Sequence, residues 1–113
     1  MPAPHCPKRG EVVWLTFTPQ AGHEQAGHRP ALTLSPEAYN RRAGLAVVCP
    51  ISSQLKGYPF EVPLPPGLEV SGVVLSDQVK SLDWRSRKAR YCCTVPEAVL
   101  SEVLGKLGAL LVL

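Results

Sequence analysis

Prolines and glycines are spread among short apolar runs along the whole chain, and this punctuation constrains the fold more than any other feature. Proline removes a backbone donor and clashes inside a helix, while glycine weakens helix interiors. With 12 prolines and 9 glycines in 113 residues, several short strands joined by turns fit better than a helical bundle. A chain of this length has room for one hydrophobic core, so residues 1–113 are expected to form a single domain. Residues 1–8, rich in proline, read as a flexible start.

The first strand is expected over Gly10 to Phe17, where β-branched and aromatic residues cluster. A long polar loop follows from Thr18 to His28, of the kind that often carries function. Pro30 to Leu34 resumes strand character, which places Arg29 just before the second strand. Ser35-Pro36 reads as an N-cap with proline at the first helical position, opening a short helical turn through Asn40. Gly44 to Ile51 is continuously apolar and reads as a central strand.

Ser52 to Tyr58 is a polar turn, and Phe60 to Leu64 alternates, with Pro63 pointing to a sheet edge. After the Pro65-Pro66-Gly67 turn, a strand from Gly72 to Leu75 is expected to continue through Asp77-Gln78-Val79-Lys80. Ala89 to Val95 forms the last strand. From Pro96 onward, Val99, Leu100, Val103, Leu104 and Leu107 recur at helical spacing, and the apolar tail from Leu107 to Leu113 is expected in the core or an interface. The fold class is therefore mainly β with a C-terminal helix. Its expected form is a small antiparallel sheet, strongly bent or closed into a partly open barrel.

Composition excludes several classes. At 45% hydrophobic and 19% charged residues the chain is too apolar for disorder. No apolar run reaches the ~18 residues of a membrane span, and the start has no signal core, so a cytoplasmic protein with no membrane partner is expected. The net charge of +3 permits a phosphate-backbone partner without establishing one. Cys6, Cys49, Cys92 and Cys93 are expected as reduced thiols, with one of the vicinal pair buried and the other outward. The cysteines and His5, His23 and His28 lack metal-ligand spacing, so no metal or other cofactor is expected.

Gly10 to Trp14, the block Glu24-Gln25-Ala26-Gly27-His28-Arg29-Pro30-Ala31, Leu34-Ser35-Pro36, the block Lys56-Gly57-Tyr58-Pro59-Phe60-Glu61-Val62, and Asp77 to Ser81 together resemble the MazF/PemK/Kid toxins, especially the enterobacterial MazF branch. Order and spacing agree from about residue 8 to the final helix. The resemblance implies an SH3-like barrel and a homodimeric endoribonuclease that cuts single-stranded messenger RNA at short sequences and so inhibits translation and growth. It also implies a type II toxin neutralised by a MazE-type antitoxin, reaching operator DNA only through the antitoxin complex. The stretch Asp83 to Tyr91 matches only loosely, though Arg85, Arg87, Lys88 and Arg90 within it suggest a basic face. At position 52, Ser replaces the family's usual Thr, keeping the hydroxyl and losing the stiffening methyl.

RNA carries its own nucleophile, the 2′-OH, beside the scissile phosphate. A metal-free enzyme must accept that proton, stabilise the phosphoryl oxygens and protonate the leaving 5′-oxygen, giving 2′,3′-cyclic phosphate and 5′-hydroxyl ends. By resemblance, Arg29 grips the phosphate and Ser52 adds a hydroxyl donor. Glu24 is the candidate base, and proton-transfer chemistry alone favours His28, whose type has an intrinsic pKa near ~6.5. Phe17, His28, Ser53, Lys56, Gln78 and Lys80 are the candidate RNA-binding residues, and Trp14 is expected in the core. The alternative is a non-nucleolytic toxin of the CcdB type, or an RNA-binding module on the same fold.

Overall fold

The computed structural model describes residues 3–16 and 28–112. Seven strands form: β1 (Glu11–Thr16), β2 (His28–Thr33), β3 (Ala46–Ser52), β4 (Glu61–Pro63), β5 (Val73–Leu75), β6 (Lys80–Leu82) and β7 (Arg90–Thr94). Two helices accompany them, α1 (Glu37–Ala43) between β2 and β3, and α2 (Glu97–Leu111) at the end. The strands form one open sheet in the order β4-β5-β3-β2-β1-β7, with β6 pairing β3, and every ladder is antiparallel.

Alternation along the strands gives the sheet two buried faces. Val12, Leu32, Cys49, Val62 and Val74 pack on one face under Val99 and Val103 of α2. Val13, Leu15, Ala31 and Val48 pack on the other, beneath Trp84, Ala89 and Cys6. Each such side chain contributes roughly 1.5–3 kcal/mol when fully buried. A one-residue slip of register would exchange the two sets, so the register is strongly specified.

The start is not loose where it is described. Cys6 and Pro7 are buried, and the His5 amide donates to the Ala89 carbonyl at 2.9 Å. Proline content alone does not free a segment that an apolar sheet face can cover. Ser35 is also not the cap of α1, whose N-cap is Pro36. Its Oγ instead donates to Asn40 Oδ1 at 2.5 Å and accepts the Val47 amide at 2.8 Å. Asn40 is the hub here: its Nδ2 donates to the carbonyls of Pro7 and Ser35, and its carbonyl accepts the Trp84 indole N–H.

The strand expected from Gly72 through Lys80 breaks in two. The Gln78 amide donates back to the Leu75 carbonyl, a turn that moves the chain from the end of β3 to its beginning. There β6 pairs Val48 with Lys80, while β5 pairs Ser52 with Val73. In α2 only Val99 and Val103 are buried, and the tail expected to be covered exposes Leu110, Leu111 and Val112. All four cysteines are free thiols, with Cys93 buried and Cys92 half-buried.

Candidate active site

The site grows from the place where β2 and β3 part. Their ladder runs from Thr33↔Val48 to Ala31↔Pro50 and stops. Neither Pro30 nor Pro50 has an N–H to extend it. Two residues beyond that last pair, along each strand, stand Arg29 on β2 and Ser52 on β3. The parted strands open a cleft of 760 Å³ whose walls include His28, Arg29, Ser52, Ser53, Gln78 and Lys80.

Each side chain has a backbone reason for its place. His28 and Arg29 lie within β2, opposite Thr16 and Leu15 of β1. Arg29 thus belongs to the strand itself, because β1 supplies a ladder on the side away from the cleft. Ser52 pairs with Val73 of β5, and its Oγ accepts the Gln54 amide at 3.1 Å and donates to the Gln54 carbonyl across a long 3.5 Å, a weak bond that a phosphate oxygen can replace. Lys80 is carried by β6, opposite Val48. Trp14, expected in the core, does both: it packs against the Val12 cluster and lines the cleft.

Gly72 fixes the height of the Ser52 wall. Its φ is +121°, and a Cβ there would lie 2.0 Å from the Ser52 carbonyl oxygen. Only glycine lets the two backbones approach so closely. Sequence reasoning missed this residue, although a glycine opening a strand is the signal for close backbone approach. It also missed Glu69, a carboxylate on the cleft wall. Glu69 stands in an irregular segment that no periodic pattern marks.

Lys56 does not line the cleft. Its amide and that of Gly57 donate to the buried Glu61 carboxylate, at 3.2 and 2.9 Å, so this motif block ties a turn rather than furnishing a cleft wall. Glu24 and Phe17 lie outside the described residues. Among the described residues no group of three or more His, Cys, Asp or Glu side chains could hold a metal ion. Chemically, the cleft offers a guanidinium, an ammonium, an imidazole and several neutral donors. That set suits a phosphodiester.

Residues 8–111 match the family model described as PemK-like, MazF-like toxin of type II toxin–antitoxin system. The chain is 46% identical to the endoribonuclease toxin MazF of Escherichia coli K12, across 95% of this chain and 96% of that one. It is 39% identical to the endoribonuclease PemK of Escherichia coli, across 92% and 81% of the respective chains. Among solved structures, a MazE–MazF crystal structure from Deinococcus radiodurans superposes with a TM-score of 0.91 at 62% identity, covering 95% of this chain and 96% of that one.

Proposed function

This chain belongs to the PemK-like, MazF-like family of type II toxins and is an endoribonuclease of that family, and from this premise we propose that its cleft cuts single-stranded RNA by metal-independent transesterification. Family membership displaces the alternative of a non-nucleolytic, CcdB-like toxin. The observation that carries the mechanism is the convergence of Arg29 and Ser52, with the His28 imidazole, in one cleft where β2 and β3 separate.

In this mechanism the substrate's 2′-oxygen attacks the adjacent phosphorus. The new 2′-O–P bond forms as the P–O5′ bond breaks, leaving a 2′,3′-cyclic phosphate and a 5′-hydroxyl. Arg29 donates to the non-bridging oxygens, whose charge grows in the transition state, and Ser52 Oγ adds a second donor. A base takes the 2′-OH proton, and the leaving O5′ gains one. Glu24 is the base by family resemblance. His28 has the ring chemistry to act in either transfer. Ser53, Gln78 and Lys80 hold the RNA strand along the cleft.

We further assign a two-fold homodimer, supported by the exposed Leu110, Leu111 and Val112 at the end of α2, and a MazE-type antitoxin whose acidic segment covers the basic cleft. Operator DNA is reached only through that complex. The protein works in the cytoplasm; no helix among the described residues is long and apolar enough to cross a membrane.

The test is to incubate the protein with phage RNA in EDTA and map the new 5′ ends. Discrete cuts bearing 5′-hydroxyls are expected. Cleavage that EDTA abolishes and Mg²⁺ restores would overturn the mechanism.

A further inference from the structure

A second pocket, of 690 Å³, lies around the corner from the cleft. Its walls are His5, His28, Arg85, Lys88, Arg90 and Tyr91, with the backbone of the N-terminal segment and Ala89 as floor. No acidic residue lines it. Glu11 is the carboxylate engaged with it, pairing with His5 Nε2 at 2.8 Å. Among the described residues, neither Lys88 nor Arg90 has an acidic partner.

The pocket is built rather than incidental. Strand β7 is the edge of the sheet, and its ladder to β1 sets Arg90 opposite Trp14 and Tyr91 opposite Val13. Lys88 is held at φ +56° in the turn before β7, with its amide bonded to the Arg85 carbonyl. Arg85 stacks on the Trp84 ring at 4.5 Å, which fixes its direction. The His5 and Tyr91 rings meet edge to face at 5.7 Å, and the Tyr91 ring stays half exposed. His28, the first residue of β2, lines both this pocket and the cleft, so the two adjoin there.

We propose that this pocket is a second RNA subsite, which grips backbone phosphates of nucleotides beyond the scissile step. The inference rests on the RNA-cleaving reading of the cleft. An exposed cluster of cations without acids is the footprint of a phosphate backbone, and exposed rings beside it give the bases a stacking surface. The shared His28 wall favours RNA over any separate ligand, because a strand gripped at Arg29 needs only to pass the neighbouring His28 to reach the pocket. The subsite adds affinity for longer substrates and leaves the chemical step unchanged.

The probe is RNA carrying a cleavage site mapped on phage RNA, with a 2′-O-methyl group at the scissile nucleotide to remove the nucleophile. One oligonucleotide spans only the cut site; two others extend it, one on the 5′ side and one on the 3′ side. Binding of wild type and a Lys88→Gln/Arg90→Gln variant is measured across salt concentration. Extension is expected to tighten wild-type binding on one side, and the variant to lose that gain while binding the short RNA, and cleaving its unmethylated counterpart, like wild type. Loss of two contacts should lower the salt slope by about 1.4, given ~0.7 per phosphate on a single strand, so the wild-type advantage shrinks about sevenfold between ~50 and ~200 mM salt.

Equal weakening on short and long RNA would overturn the proposal, as would no weakening on either. So would a variant that loses affinity only for the antitoxin's acidic segment, which would make the pocket a protein site. If phage RNA yields no discrete cuts at all, the cleavage reading itself fails, a result distinct from these. Should the double variant melt early, Lys88→Gln alone, an exposed turn position, carries the same test at half the slope change.

Discussion

Ser52 and Lys56 are four residues apart, yet the fold uses them in opposite ways. Ser52 has its backbone in the β3–β5 ladder, Gly72 pressed beneath it, and its hydroxyl in the cleft. Lys56 is held only through its amide, by the Glu61 carboxylate, and its side chain is exposed and outside the cleft wall. A motif residue can therefore be fixed by its backbone amide in a turn rather than by a side chain in the cleft wall. Strand ends at a parted ladder carry the proposed catalytic side chains, and the loop beyond them is shaped by a buried acid.

The largest expected effect lies on the strand-end side of this contrast. Arg29→Ala and Ser52→Ala are each expected to lower single-turnover cleavage by about 10²–10³-fold, the usual loss for a preorganised donor to a charged transition state. Ser52→Thr should keep or raise the rate, since it restores a χ1-stiffened hydroxyl. If folded Arg29→Ala cuts at the wild-type rate, the strand end is not the reactive centre.

Gly72→Ala comes next. At φ +121°, with the Ser52 carbonyl 2.0 Å from the new Cβ, the backbone of β3 must retreat. Destabilisation of more than about 1 kcal/mol is expected, with a fall in kcat larger than any rise in KM. Unchanged kcat in a folded Gly72→Ala protein would separate Ser52 from the chemistry.

Glu61→Ala should act on stability more than on rate. It leaves the Lys56 and Gly57 amides without their acceptor, and a cost of about 1–3 kcal/mol follows where such donors stay dry. Lys56→Ala, which keeps that amide, is expected to change the melting temperature and cleavage little. A large rate loss in Lys56→Ala alone would erase the distinction drawn above.

The smallest effect reads how tightly β3 is closed. Cys49, three residues before Ser52, is buried, and burial followed by the Asp77 charge pushes its thiol up to about 11 from the ordinary 9.0. With the folded-state value raised, the unfolded thiol ionises first, and that ionisation favours the unfolded chain. Its contribution is intact below pH 9.0 and is lost as pH climbs toward about 11. Alkylation of Cys49 at pH ~8 should therefore be slow and should track global unfolding. Rapid alkylation would mean that β3 opens on its own.

Much of this was legible in the sequence, for physical reasons that differ by element. The apolar run at β3 and the helical spacing from Val99 to Leu107 announced a central strand and a helix, because periodicity is local. The alternating residues before the Pro65-Pro66-Gly67 turn gave an edge strand for the same reason. Ser35 misled because its hydroxyl is claimed by Asn40 and Val47, partners that appear only when the chain folds back. The break between β5 and β6 was invisible because both halves pair with β3, at opposite ends of it. Arg29, Ser52, Gln78 and Lys80 could be grouped from family motifs. Glu69 reaches the cleft, and Gly72 the Ser52 backbone, only through long-range packing, so no local pattern announced them.

The central claim is that Arg29 and Ser52 act on one phosphate from two parted strands. A double-mutant cycle on single-turnover cleavage of a mapped RNA site in EDTA tests it most directly. For Arg29→Ala, Ser52→Ala and the double variant, strong non-additivity is expected, with the double variant losing far less than the product of the single losses. Additive losses would place the two side chains on independent steps and contradict the shared site.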